Sequence, residues 1–191
     1  MDVELKGISK SFGEKRVLAD VSALFPCGEI SCIMAPSGVG KTTLLRILMG
    51  LEQPDSGAII GLEHQKISVV FQEDRLLSHM NPVDNIRLVA PHLKESEVVL
   101  ELEKVGLLDC ITQPIAELSG GMKRRVALLR GLLAEYDILL LDEPFRGLDA
   151  QRKEEVLVYL KAKTKDKTVL LVTHDMEEAE LLEVNTFLYL Q

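Results

Sequence analysis

The sequence predicts an α/β protein: a mostly parallel β-sheet covered by helices, with strands at the N-terminus and an inserted helical lobe. Three observations carry this prediction. Short, largely apolar runs recur at 30–34, 67–71, 138–141 and 168–172, the pattern of strands buried on both faces. Segments with helical spacing lie between them, as strand-loop-helix alternation requires. From about 74 to 133 helical patterns dominate and strand signals vanish. One domain follows, with a core over 1–73 and 134–191 and a helical subdomain over about 74–133.

Taken in order, residues 3–5 and 17–25 mix apolar and polar side chains as early strands do, and Gly13-Glu14 marks the turn between them. Gly28-Glu29 punctuates before the apolar run 30–34. After a glycine-bearing loop, 41–51 reads as a helix with Leu44, Leu45, Ile47 and Leu48 on its apolar face. Pro54-Asp55-Ser56-Gly57 is expected to turn. Helices are expected over 95–105, and after Ser119, where Met122, Val126, Leu129 and Leu133 recur at helical spacing. A further helix carrying Val156, Tyr159 and Leu160 separates the runs 138–141 and 168–172. A final strand is expected over 184–190.

Composition excludes several classes. Of 191 residues, 47% are hydrophobic and 27% charged, ordinary values for a globular protein. A formal net charge of −8 argues against a nucleic-acid partner, which requires a dominant basic face. Met1-Asp2-Val3-Glu4 lacks the basic flank and apolar stretch of a signal peptide. The apolar run ending at Leu141 stops at Asp142-Glu143, far short of the roughly 20 residues that cross a bilayer. Cys27, Cys32 and Cys110 form no CxxC pair, so reduced thiols are expected rather than a metal site.

Two motifs carry chemistry. Ala35-Pro36-Ser37-Gly38-Val39-Gly40-Lys41-Thr42-Thr43 lies between a buried strand and a helix, the context that makes a phosphate loop. Gly38 and Gly40 let successive N–H groups converge on phosphate oxygens, and the helix start adds partial positive charge. Lys41 supplies a point charge for the β- and γ-phosphates, and the Thr42 hydroxyl can ligate Mg²⁺. Ala35 stands where the pattern begins with glycine; it is tolerated there if its φ is negative. The second motif is the apolar strand 138–141 ending in Asp142 and Glu143. The carboxyl end of such a strand faces the ligand crevice of a parallel sheet. Asp142 can hold the metal and Glu143 can polarise an attacking water.

Leu118-Ser119-Gly120-Gly121-Met122 resembles the signature of the ABC (ATP-binding cassette) family and falls ahead of the carboxylate strand, as in that family. The resemblance covers essentially the whole chain and implies a RecA-like P-loop NTPase fold with antiparallel N-terminal strands. It implies an ATP hydrolase using Mg²⁺. Within it Phe12 is similar to the aromatic that stacks on adenine, with a core phenylalanine as the competing reading. Gln72 looks like the glutamine that touches Mg²⁺ and the attacking water, and His174 like the histidine that contacts the γ-phosphate. Asp149 belongs to a segment, Gly147-Leu148-Asp149, that looks like the family's D-loop. Ser37, Gly38, Val39, Gly40, Lys41, Thr42 and Thr43 are the implied nucleotide loop; Thr42, Gln72 and Asp142 are the implied Mg²⁺ ligands. Lys41, Gln72, Glu143 and His174 are the implied catalytic set.

The family arrangement lays the signature of one subunit over the nucleotide of another. Ser119, Gly120, Gly121 and Asp149 would then act in trans within an ATP-dependent homodimer. The segments 71–77 and 81–86 are similar to importer ATPases, especially the nitrate, sulfonate and taurine branch. That implies a subunit at the cytoplasmic face of the cell membrane, with a transmembrane permease and an extracytoplasmic solute-binding protein as partners. An exporter or a non-transport regulatory or division complex is the alternative. Leu76, Leu77 and Met80 either touch the permease or pack within the helical lobe. The chain departs from the family at Met122 and Arg124, where glutamine is common, and at Leu129-Arg130-Gly131, where Ala-Arg-Ala is commoner. It ends at Gln191, so a bare final sheet edge and no C-terminal regulatory domain are expected.

Overall fold

The computed structural model describes residues 1–36 and 38–190. Two sheets form its frame. A three-stranded antiparallel sheet, in the order β2-β1-β4, is built from β1 (Val3–Phe12), β2 (Lys15–Phe25) and β4 (Ser56–Ile60). A five-stranded sheet, β5-β6-β7-β3-β8, is parallel throughout. Its strands are β3 (Ile30–Met34), β5 (Ile67–Val70), β6 (Ile138–Asp142), β7 (Thr168–Thr173) and β8 (Thr186–Tyr189).

The apolar runs have the expected cause. Every residue of β6 and of β7 is buried, because helices cover both faces of the sheet and leave no solvent side on which polar residues could alternate. The first two strands are longer than the sequence suggested: Phe12 pairs with Lys15, so Gly13-Glu14 is a two-residue hairpin loop. β1 tolerates its polar residues because register shifts between Leu5 and Ser11 change which side chains face inward.

The helices are α1 (Lys41–Leu48), α2 (Pro82–Arg87), α3 (Glu95–Lys104), α4 (Gly120–Leu133), α5 (Ala150–Lys163) and α6 (Met176–Leu181). α1 stops short of the expected 51 because Gly50 takes φ +68°, ending the helix while Met49 and Gly50 N–H groups close onto Leu45 and Ile47 carbonyls. The expected turn at 54–57 is shorter too: Ser56 and Gly57 already belong to β4, with Ser56 paired to Ser9. Gly57 is required there, since a Cβ would lie 2.4 Å from the Lys6 carbonyl. α2 and α6, each of six residues, carried too little periodicity to be expected.

Between β5 and β6 the chain forms only helical elements and loops. These do not make a separate core. Val83, Ile86, Val98, Leu102, Val126 and Leu129 join one buried cluster with Leu139, Leu141 and Val169 of the sheet. The closest join is α4 on β5: Ser68 Oγ donates to the Gly131 carbonyl at 2.8 Å. A Cβ on Gly131 would sit 2.4 Å from Val70 Cγ2. Glycine in place of the commoner alanine therefore lets this helix approach the strand closely.

Candidate active site

The carboxyl ends of β3, β6 and β7 open onto a cleft of about 970 Å³. Its walls include Gly38, Gly40, Lys41, Thr42 and Thr43 from the loop and first turn of α1, with Gln72, Glu143 and His174 opposite and Phe12 at the rim. Gly40 is the N-cap of α1 at φ +99°, and a Cβ there would lie 2.8 Å from the Val17 carbonyl. Only glycine fits a left-handed position pressed against β2. Gly38 is also left-handed, at φ +86°. Ala35 is not among the positive-φ residues and is buried, so its methyl is accommodated. The Val39 side chain packs against a second buried cluster, formed by residues such as Leu18, Ile33, Leu44 and Leu170, rather than lining the cleft. Ser37 lies outside the described residues.

Lys41 reaches across the cleft mouth. Its Nζ donates to Glu143 Oε1 at 2.8 Å and to the Ala35 carbonyl at 3.2 Å. Glu143 follows the last residue of β6 with φ +45°, a left-handed conformation that costs a non-glycine residue roughly 1–2 kcal/mol. The Glu143 N–H donates to the Val172 carbonyl at 2.9 Å, and the Arg146 N–H to the Glu143 carbonyl at 3.2 Å. Buried Phe145 anchors the turn that follows. Burial alone would raise the pKa of Glu143; the hydrogen bond and charge of Lys41, aided by His174 and Arg146, outweigh it and hold the acid below its ordinary value. His174 Nδ1 stands 3.8 Å from the same carboxylate, with its side chain 71% exposed.

Asp142 behaves in the opposite way. It is 8% exposed, does not line the cleft wall, and has a raised pKa, first from burial and then from the neighbouring Glu143 charge. A buried carboxylate in this condition favours a cation nearby. The Asp142 carboxylate, the Thr42 hydroxyl and the Gln72 amide are hard oxygen donors, the chemistry Mg²⁺ takes alongside phosphate and water; Thr42 and Gln72 line the cleft and Asp142 lies beneath it. No cage of three or more acidic, histidine or cysteine groups occurs among the described residues.

Phe12 is 51% exposed, with Lys10 Nζ 5.4 Å from its ring centroid; the core reading of this residue is excluded. Ser119, Gly120, Gly121 and Asp149 do not line the cleft. Ser119 and Gly120 are exposed. Ser119 Oγ accepts the Met122 N–H at 3.3 Å and so caps α4. The start of α4 abuts the 147–148 segment, since a Cβ on Gly121 would lie 3.7 Å from both the Gly147 carbonyl and Leu148 Cδ2. Asp149 caps α5, accepting the Arg152 N–H at 3.0 Å. Among the candidates for a partner contact, Leu76 packs on the core while Leu77 is 41% exposed.

Sequence reasoning missed Lys15 and Arg146, which also line the cleft, and the reach of buried Arg124. Arg124 stands between Lys123 and Arg125 in the sequence, and the available signal was its place at a position where the family commonly has glutamine.

A family model described as ABC transporter matches residues 18–146. The chain belongs to the ABC transporter family. Within it, the chain is 44% identical over 187 residues to an aliphatic sulfonates import ATP-binding protein, SsuB 1, of Rhodococcus jostii, covering 94% of this chain and 76% of that one. It is 38% identical to the sulfate/thiosulfate import ATP-binding protein CysA of Pectobacterium atrosepticum, and 41% identical to that of Escherichia coli. It spans 61% and 55% of those two CysA chains. The dimeric, post-hydrolysis structure of the ATP-binding cassette MJ0796 bound to ADP and Pi superposes with a TM-score of 0.86 at 28% identity, over 99% of this chain and 94% of that one. A bacterial Atm1-family ABC exporter shares the fold, with a TM-score of 0.85 at 23% identity.

Proposed function

We propose that this chain is the ATP-binding and ATP-hydrolysing subunit of a bacterial membrane importer, working as a two-fold dimer. The carrying observation is a division of labour. Lys41, Thr42, Gln72, Glu143 and His174 share one cleft, while the capped, exposed start of α4 at Ser119 lies outside it. Two anion-receptive helix starts that cannot serve one nucleotide within a chain can do so between two chains. The proposed division follows: 1–73 and 134–191 hold the nucleotide, and about 74–133 presents the signature to the partner.

In this reading the adenine stacks on Phe12 and the triphosphate enters the loop of Gly38 to Thr43. Lys41 transfers its hydrogen bonds from Glu143 to the β- and γ-phosphates. Glu143, released from Lys41, is free to orient a water and receive its proton as the water oxygen attacks the γ-phosphorus and the bond to the β-phosphate oxygen breaks. His174 and Gln72 align the γ-phosphate and the water. Thr42, Asp142 and Gln72 would hold Mg²⁺, which neutralises phosphate charge when bound. Ser119, Gly120, Gly121 and Asp149 of each chain close over the other's nucleotide, and loss of the γ-phosphate contacts lets the halves part.

Relatives named as import ATP-binding proteins support import as the work done, with a permease and a solute-binding protein completing the complex. No helix among the described residues is long and apolar enough to cross a membrane, so the proposed attachment to the cytoplasmic face is peripheral, through the permease. The test is complementation by mixing. K41A and S119A chains, each inactive alone, should regain a measurable part of the Mg²⁺-dependent ATP hydrolysis when combined. Failure to regain any, with both chains folded, would remove the trans arrangement.

A further inference from the structure

Arg124 lies within α4, is 3% exposed, and occupies a position where the family commonly has glutamine. Its guanidinium serves two segments at once. Toward the end of β6, Nε donates to the Pro144 carbonyl at 2.7 Å, and Nη2 to the carbonyls of Glu143 at 2.8 Å and Asp142 at 3.0 Å. Toward the loop after β5, Nη1 donates to the Phe71 carbonyl at 2.6 Å, to Asp74 Oδ1 at 3.2 Å and to the Gln72 carbonyl at 3.4 Å. A second arginine of the same helix strengthens the latter grip. Arg130 donates to the Arg75 carbonyl at 2.8 Å and the Asp74 carbonyl at 3.0 Å. Arg75, itself left-handed at φ +47°, lays its guanidinium 3.8 Å over the Phe71 ring.

The arrangement exceeds what packing needs. Burying a guanidinium is costly unless its donors are met, and here the five N–H groups face six oxygens drawn from the two loops that carry Gln72 and Glu143. An amide offers two N–H donors on a shorter stem and cannot hold both loops so fully. We propose that Arg124 is a positioning residue for hydrolysis: it clamps the left-handed backbone of Glu143 and the Gln72 loop to the helix that begins at Ser119. Gln72 and Glu143 are thereby presented together, and any tilt of α4 on engaging a partner's nucleotide moves both. The inference rests on the ATP-hydrolysing reading above.

The test compares R124M, which keeps length and removes every donor, with R124Q, which keeps two. In the full chain R124M is expected to lower kcat for ATP by about tenfold or more while KM stays within about threefold, with R124Q intermediate. Hydrogen exchange should rise at both 72–75 and 143–146 and stay unchanged in α1. If R124M does not fold, R124Q decides alone. An unchanged kcat in folded variants overturns the proposal, as does a loss of nucleotide affinity in step with kcat, or faster exchange in neither or only one loop. A parent chain without ATP hydrolysis would instead defeat the underlying reading, and the exchange data would then judge the clamp by itself.

Discussion

Lys41 Nζ donates to Glu143 Oε1 at 2.8 Å across 102 residues of sequence, with both side chains largely buried. The cation at the start of α1 and the acid at the end of β6 satisfy each other. In the proposed function an incoming triphosphate would compete for Lys41, and its binding would free Glu143. On that proposal, nucleotide entry and activation of the acid are one exchange of partners.

Replacing Glu143 with glutamine keeps the shape and an acceptor for Lys41 but removes the group that can take a proton. We expect E143Q to retain ATP affinity within a few-fold and to lose about a hundredfold or more in turnover. With ATP it should accumulate as a dimer in analytical ultracentrifugation. Turnover close to that of the parent would strip Glu143 of its role.

Lys41→Ala deletes the charge proposed to meet the phosphates. A charge-assisted hydrogen bond contributes about 1.5–3 kcal/mol, so calorimetry should find ATP affinity weaker by roughly tenfold to a hundredfold. Unaltered affinity would place the phosphates elsewhere.

Acid sensitivity follows from the two carboxylates with opposite signs. Glu143 has a depressed pKa in the fold, so its pair with Lys41 stabilises above its ordinary value of 4.5 and is lost as pH falls through the lower folded value. The denaturation difference between parent and E143Q should therefore shrink below about pH 4.5. Asp142 is raised, so its ionised form costs stability at neutral pH. D142N should melt a few degrees higher than the parent at pH 7 without nucleotide, as about 1 kcal/mol produces in a domain of this size. The gain should fade as acid protonates Asp142, while Mg²⁺-dependent turnover is lost. A neutral-pH melting point below the parent's would contradict this.

Gly131→Ala tests how tightly the signature helix is seated. The added methyl would meet Val70 Cγ2 at 2.4 Å, and a β-branched neighbour cannot swing away freely. Despite alanine's better helix propensity, G131A should destabilise by about 1–3 kcal/mol in urea denaturation. V70A added to it should recover part of the loss; additive losses would refute the contact.

Much of this protein was legible in one dimension because its chemistry is written in backbone requirements. Gly38, Gly40 and Lys41 sit between a buried strand and a helix, and Asp142-Glu143 terminate an unbroken apolar run; both are local facts of sequence. The fold class followed from the same runs, since a strand covered on both faces has no reason to alternate. Strand limits and the two six-residue helices were less visible, because pairing partners and caps settle them rather than periodicity.

Tertiary structure alone decided what faces what. That Lys41 meets Glu143 depends on β3 and β6 flanking β7 in the sheet. That Phe12 is exposed at a cleft rather than buried depends on where the hairpin of β1 and β2 projects. Arg124 reads in sequence as a charge on a helix, and only the approach of α4 to two loop ends makes it the donor to six oxygens. Sequence specifies which residues can bend, bury or carry charge; distances between segments far apart in the chain arise only when the whole core packs and selects one arrangement of them.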